Sequence, residues 1–171
     1  AKAARALLFG PGESELSLTW RDEDPQLARP MECRARLDRL LVRASGALVV
    51  DLKSTDDPSE DAFAASIARY GYHRQAAFYC DAAQALLGNV LPKFAFVVIR
   101  SEPPHEIAVY DLEAEAIAIG AHEVRETMRA LSQALVEQKF AAPWECGVRK
   151  INLPYWARKK GEQALAAKEA P

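Results

Sequence analysis

A carboxylate and an ammonium stand two residues apart in Val50-Asp51-Leu52-Lys53-Ser54-Thr55, at the end of an otherwise apolar, β-branched run. Side chains of a strand alternate with a period of two, so Asp51 and Lys53 share one face while Val50 and Leu52 turn to the core. Opposite charges side by side at a strand end are expensive to desolvate, which argues for a use. A second carboxylate, Asp38, falls on the polar face of the preceding strand segment. Asp38, Asp51 and the main-chain carbonyl of Leu52 make a hard-oxygen set suited to Mg2+, with Mn2+ able to substitute. Magnesium keeps several waters, so two or three protein ligands suffice. The chemistry such a set supports is phosphodiester hydrolysis: the metal polarises a phosphoryl oxygen and lowers the pKa of a bound water. Lys53 then orients that water or stabilises the developing charge. The D-x-K spacing is weak alone, because an ordinary exposed ion pair at a strand end has the same sequence.

Positioning these groups requires paired strands. Glu15 to Trp20 alternates, with Leu16, Leu18 and Trp20 on one face. Met31 to Val42 begins the same way, Cys33, Ala35 and Leu37 opposing Arg34, Arg36 and Asp38. Ala44-Ser45-Gly46 supplies a turn, and Ala47 to Ser54 reads as the strand that carries the D-x-K, joined to its predecessor as a hairpin. Asp57-Pro58-Ser59 ends the strand signal and offers helix caps. Glu60 to Leu87 is helical, with an interruption near Gly71 and a stop at Gly88. Lys93 to Arg100 and Glu106 to Leu112 are strands around a Pro103-Pro104 turn. Glu113 to Gln138 is a long amphipathic helix with Ile117, Val124, Met128, Leu131 and Leu135 near its apolar stripe. A short helix begins around Pro154. The order β-β-β-α-β-β-α-α predicts an α/β (α+β) fold, a central mixed sheet flanked by helices.

The chain has 171 residues, 50% hydrophobic and 27% charged, the size and composition of one globular domain, 1–171. The opening AKAARALLF is too short and wrongly flanked for a secretory signal, and no apolar run reaches membrane-spanning length, so a cytoplasmic protein is expected. Cys33, Cys80 and Cys146 are odd in number and far apart, which predicts free thiols and excludes a zinc ribbon or iron–sulfur site. With a net charge of −2, nucleic acid must meet a local basic patch. Arg34, Arg36, Arg39 and Arg43 form one candidate. Arg149, Lys150, Arg158, Lys159 and Lys160 form another, although solvated faces explain such clusters too.

After the D-x-K strand comes Tyr70-Gly71-Tyr72-His73-Arg74-Gln75-Ala76-Ala77-Phe78-Tyr79, in which Gln75 and Tyr79 lie one helical turn apart on one face. The segments ELSLTW (15–20), CRARLD (33–38), VVDLKST (49–55), YGYHRQAAFY (70–79) and LPYWA (153–157) occur in order. Together they resemble the PD-(D/E)XK nuclease superfamily, with its restriction-endonuclease-like core. They look most like the exodeoxyribonuclease VIII (RecE-type) nuclease domain, a relative of the lambda-type exonucleases. The resemblance implies metal ligands at Asp38 and Asp51, a catalytic lysine at Lys53, and supporting helix residues at Gln75 and Tyr79. It matches Thr55 to a residue bracing the strand end and His73 to a family histidine that reads equally well as structural. Arg34, Arg36 and Arg74 are the DNA-binding candidates.

Two departures stand out. Leu37 occupies the place of the proline that usually precedes the first aspartate. The acidic residue that relatives carry on a helix ahead of the first strand has no counterpart before Glu13. Either that helix lies upstream of this chain, or Glu13, Glu15 or Asp22 substitutes, or metal is held less tightly; Glu15 is the preferred substitute. The implied activity is 5′-to-3′ exonuclease action on linear duplex DNA ends in recombination or repair. A ring-shaped homo-oligomer and a strand-annealing recombination partner accompany it. Two alternatives stay open: another nuclease of this fold (a single-strand exonuclease or structure-specific endonuclease), or a catalytically silent DNA-binding or assembly module.

Overall fold

The computed structural model describes residues 2–88, 90–140, 148 and 150–160. The chain divides into two compact units, Ala1–Lys139 and Phe140–Pro171. The first contains α1 (Lys2–Phe9), β1 (Glu13–Asp22), β2 (Met31–Arg43), β3 (Gly46–Thr55), α2 (Glu60–Tyr70), α3 (Tyr72–Leu87), β4 (Lys93–Arg100), β5 (Ile107–Asp111) and α4 (Ala114–Glu137). In the second, residues 155–160 form a short helix whose first turn is closed by the Pro154 carbonyl, which accepts from the Ala157 and Arg158 amides at 3.0 Å. Cys146 and Arg149 lie outside the described residues. Among the described residues no helix is long and apolar enough to cross a membrane.

The five strands form one sheet in the order β1-β2-β3-β4-β5, antiparallel except for the β3–β4 pair. That parallel pair is joined through α2 and α3, the crossover that parallel strands require. On one face Leu37, Leu40, Val49, Phe94, Phe96 and Val98 pack with Phe63 of α2 and with Ala76, Cys80 and Ala83 of α3. On the other face Ala4 of α1 packs with Leu41, Val50 and Val97. Burial pushes the thiols of Cys33 and Cys80 upward, Cys80 to about 12, so both are inert apolar groups rather than thiolates.

Gly71 sets the angle between α2 and α3. Its φ of 69° is left-handed, a conformation that costs a residue with a Cβ about 1–2 kcal/mol. There it closes α2 by donating to Ile67 O, and its carbonyl opens α3 by accepting from Arg74 and Gln75 amides. Gly120 lets α4 approach α3, since a Cβ there would strike the His73 carbonyl. The β1–β2 connection is clasped to the helices by Arg125, which pairs with Asp22 and Asp81 and lies 3.8 Å from Asp24. Ser132, fully buried, accepts from the Ala28 amide.

The opening segment forms helix α1, whose sequence KAARALLF contains no acidic residue. Two sequence expectations are corrected. Arg39 does not belong to a surface basic patch: it is 8% exposed. Its guanidinium donates to Leu7 O at 2.8 Å, to Gly10 O and to Ser14 Oγ, satisfying carbonyls that the end of α1 leaves open. The β3 faces are also reversed near the strand end. Asp51 is 1% exposed beneath α3, whereas Leu52 on the opposite face is 44% exposed although its strand neighbour Val97 and the preceding Val50 are buried there.

Arg39 thus holds α1 on the sheet through hydrogen bonds from a charged donor, each worth about 1.5–3 kcal/mol. Arg39→Met is expected to lower unfolding stability by about 2–3 kcal/mol and to release the amides of α1 to rapid hydrogen exchange. Unchanged protection of α1 in the variant would reject this anchoring role.

Candidate active site

The site lies where β2 and β3 part. Their ladder runs from Arg43↔Gly46 to Arg39↔Val50 and stops. Beyond it, β2 stays paired with β1 as far as Asp22↔Met31, and β3 with β4 as far as Thr55↔Arg100. At the fork Asp38 replaces the missing strand partner, its Oδ2 accepting the Leu52 amide at 2.8 Å. The N–H and C=O of a strand residue point to the same side. The Leu52 carbonyl therefore also opens into the fork, beside Asp38.

Asp51 sits under α3. Its Oδ1 accepts from Gln75 Nε2 at 3.3 Å, and its Oδ2 lies 2.5 Å from Lys53 Nζ. That ion pair is close but misaligned: Oδ2 is buried and has no hydrogen bond of acceptable geometry. Burial raises the Asp51 pKa, the adjacent ammonium of Lys53 pulls it down, and Asp38 pushes it up again; the net direction is upward. The Lys53 side chain is only 15% exposed and places Nζ 4.7 Å above the Tyr72 ring. Tyr72 is the site residue that sequence reasoning missed. Its signal was its place at i, i+3 and i+7 with Gln75 and Tyr79 on one face of α3.

These donors fit a hard divalent cation. The buried Oδ2 of Asp51, the second oxygen of Asp38 and the Leu52 carbonyl are oxygen ligands around one opening, and a raised carboxylate pKa marks negative charge that is under-compensated. Asp38, Asp51 and Leu52 would hold such an ion. A third acid does not join them: among the described residues no three His, Cys, Asp or Glu side chains gather to hold a metal. Glu15 instead pairs with Arg36 at 2.5 Å, and Asp22 with Arg125.

The remaining candidates are spread around this centre. Tyr79 packs against the main core. Thr55 ties down the strand end: its Oγ1 donates to Asp57 O at 3.2 Å, and its carbonyl accepts from the Ser101 amide at 2.8 Å. His73 bridges helices through Ile67 O at 3.3 Å and Glu123 Oε2 at 3.1 Å, and Arg74 lies 3.5 Å from the same Glu123 oxygen. Arg34 is exposed on β2, two residues from Arg36, with no ion-pair partner among the described residues.

The Asp51 environment fixes the sign of a stability trend. A carboxylate whose folded pKa is raised contributes stability below its unfolded pKa, about 4, and loses it as pH rises through the folded value. Asp51→Asn holds the neutral form at every pH. In chelator, its stability relative to the parent is expected to increase as pH rises above about 4 and through the raised folded value, read as urea midpoints. A pH-independent difference would mean that burial does not dominate at Asp51. Lys53→Ala leaves that carboxylate without its cation and is expected to cost about 3–5 kcal/mol, largely recovered when Asp51→Asn is added.

The fold has solved counterparts. A structure described as "Putative exonuclease" from Eubacterium rectale aligns with a TM-score of 0.59 at 12% identity, over 94% of this chain and 61% of that one. The structure of SSO0001 aligns with a TM-score of 0.47 at 14% identity, over 85% of this chain and 60% of that one. The chain therefore spans about three fifths of each. No curated protein matches the sequence. Residues 25–151, which include Asp38, Asp51, Lys53 and Gln75, match the family described as "PDDEXK-like domain of unknown function (DUF3799)". The mixed sheet with its forked central strands is accordingly a PD-(D/E)XK-type core, and the chain belongs to this PDDEXK-like family.

Proposed function

We propose that this protein is a Mg2+-dependent deoxyribonuclease that degrades linear duplex DNA from its ends, 5′ to 3′. The observation that carries the reading is the buried Asp51 carboxylate, flanked by Lys53 and Gln75 and facing Asp38 across the strand fork. Structural ion pairs gain little from such burial, whereas a phosphoryl-transfer site needs negative oxygens and a positioned cation in a partly dry setting. Membership of a PDDEXK-like family supports nuclease chemistry. The duplex substrate, the polarity, a ring-shaped oligomer, a strand-annealing partner and a cytoplasmic role in recombination or repair rest on the likeness to the exodeoxyribonuclease VIII type.

In this reading Asp38, Asp51 and the Leu52 carbonyl bind the divalent ion, and Gln75 fixes the rotamer of Asp51. Lys53, steadied over Tyr72, orients the attacking water and stabilises charge developing on the phosphoryl oxygens. A bound Mg2+ supplies Lewis-acid polarisation of the scissile phosphate. Arg34 meets the phosphate backbone outside the fork. Arg36 and Arg74 contribute less, since Glu15 and Glu123 already engage them.

A silent DNA-binding module is the second reading, favoured because among the described residues no third His, Cys, Asp or Glu side chain joins Asp38 and Asp51 at the fork. One experiment separates the two: digestion of end-labelled linear duplex with Mg2+, with Mn2+ and with EDTA. Metal-dependent shortening from the 5′ end is expected, with turnover reduced at least about a hundredfold by Lys53→Ala, a typical loss for a positioned charge stabiliser. DNA binding without hydrolysis in either metal would favour the silent module. Full activity in excess chelator would remove the metal site from the reading.

Arg34 is tested by salt. Each phosphate contact adds about 0.9 to the slope of log affinity against log salt on duplex DNA. Arg34→Ala is expected to flatten that slope by about one unit on every sequence alike. A wild-type slope in the folded variant would take β2 out of the DNA path.

A further inference from the structure

A row of alternating charges and rings leads out of the site. Lys53 Nζ lies 4.7 Å from the centre of the Tyr72 ring, Tyr72 lies 5.6 Å from Tyr70 at an interplanar angle of 31°, and Arg69 stands 5.5 Å over Tyr70. The inner part of the row is fixed. Tyr72 also packs near Phe63 and Phe96, with ring centres 6.2 and 6.1 Å away. The outer part is open: Tyr70 is the last residue of α2 and is 59% exposed. Tyr70 thus leaves most of its surface to solvent while standing one ring away from the candidate catalytic lysine.

The two rings border a cavity of about 390 Å³ that also includes Ser54, Thr55, Asp56 and Ser66. Ser54 and Thr55 directly follow Lys53 on β3. The cavity is thus a continuation of the site, and its volume lies in the range of pockets that hold one small molecule. Its far wall is acidic. Asp56 is exposed without a partner among the described residues, and Asp57 accepts the Ser59 amide at 2.9 Å. Carboxylates there repel a phosphate but accept hydrogen bonds from ring and exocyclic N–H groups. The aromatic rings, hydroxyls and carboxylates that line the cavity suit a flat, uncharged heterocycle. The flanking cations, Lys53 inside and Arg69 outside, suit the phosphates on either side of it.

We propose that Tyr70, backed by Tyr72 and flanked by Arg69, is a stacking shelf for one unpaired nucleobase next to the scissile phosphate, so that the protein engages DNA ends whose terminal base is unpaired. The proposal rests on the nuclease reading and specifies the form of its substrate. An interior base is covered on both faces by its neighbours, and the terminal base of a blunt end is held beside its pairing partner, so only an unpaired base can enter a cavity of this size and lie on Tyr70. Base–aromatic stacking is tolerant of sequence, so the shelf distinguishes paired from unpaired ends rather than one base from another.

The test measures equilibrium binding in EDTA, where hydrolysis plays no part. The probes are two hairpin duplexes, one blunt and one ending in a single unpaired 2-aminopurine, whose emission is quenched on stacking. The wild-type protein is expected to bind the unpaired end about tenfold more tightly than the blunt end, and to quench the probe. That factor equals ~1.4 kcal/mol, within the range for one stacked base. Tyr70→Ala should bring the ratio close to one and abolish quenching. Tyr70→Phe should keep both, since the ring and not the hydroxyl forms the shelf. A wild-type protein without preference for the unpaired end, or a Tyr70→Ala protein that keeps it, would overturn the shelf. Failure of the nuclease reading looks different: the preference and its dependence on Tyr70 would persist, yet neither probe would be cut when Mg2+ or Mn2+ is added. A protein that binds neither probe would overturn both.

Discussion

A carboxylate with 1% exposure inside a sheet must be compensated, and at Asp51 the surrounding structure is arranged to do so only in part. Lys53 supplies charge at 2.5 Å and Gln75 supplies one hydrogen bond at 3.3 Å, yet Oδ2 lacks a well-directed donor and the pKa still moves upward. Each partner has its own requirements. Lys53 must lie on the same face as Asp51, which fixes the strand register. Gln75 must start on the first turn of α3, which needs the left-handed Gly71 to end α2 and redirect the chain. The fork must open at Asp51 and no earlier, which is why Asp38 and not a backbone carbonyl takes the Leu52 amide. Partial compensation is what separates a binding site from a structural ion pair, because a fully satisfied carboxylate has nothing left to offer a ligand.

The two faces of the sheet serve this centre unequally. The face under α2 and α3 carries the aromatic cluster of Phe63, Phe94 and Phe96, whose edge-on contacts at 5.3 and 5.0 Å keep β4 and α2 in place beside β3. Among the described residues, the helix that packs on the opposite face is the eight-residue α1. A helix that short has little intrinsic stability in water. Its position depends on Arg39, a residue 32 positions from Leu7 in sequence and one residue past Asp38. The same strand segment therefore anchors α1 through one side chain and closes the fork through the next.

The legible parts of this protein are those written in local pattern. Period-two alternation located β1, β2 and β3, the Gly71 break was visible between two helical runs, and α4 matched its expected span within one residue at each end. Alternation assigned Asp51 and Lys53 to a common face as well. It could not tell which face of the sheet would be covered, since that depends on where the helices pack, and so Leu52 and Asp51 exchanged their expected burial. Helix α1 was illegible for a related reason: it has no acidic residue in its first turn and no basic residue in its last, and its stabilising cation comes from β2. The partners of Arg36 and Arg125 are likewise long-range, joining residues 21 and up to 103 positions apart. A count of basic residues along β2 cannot separate the free Arg34 from the buried Arg39 or the paired Arg36.

The position of Lys53 adds a last step to the logic of the site. Its ammonium occupies Asp51 Oδ2, the same oxygen that a divalent cation would take. Any cation that binds there competes with Lys53 and, because the Asp51 pKa is raised, with a proton as well. The competition is not wasteful. Without a cation, Lys53 limits the penalty of an ionised carboxylate in a low-dielectric setting. The same ammonium also lies over the Tyr72 ring, 4.7 Å from its centre, a contact that does not depend on Asp51. Among the described residues no third His, Cys, Asp or Glu side chain joins Asp38 and Asp51, so an ion held there would meet less negative charge than one among three carboxylates. The group that offsets the buried charge of Asp51 is thus the one that an incoming cation would have to displace.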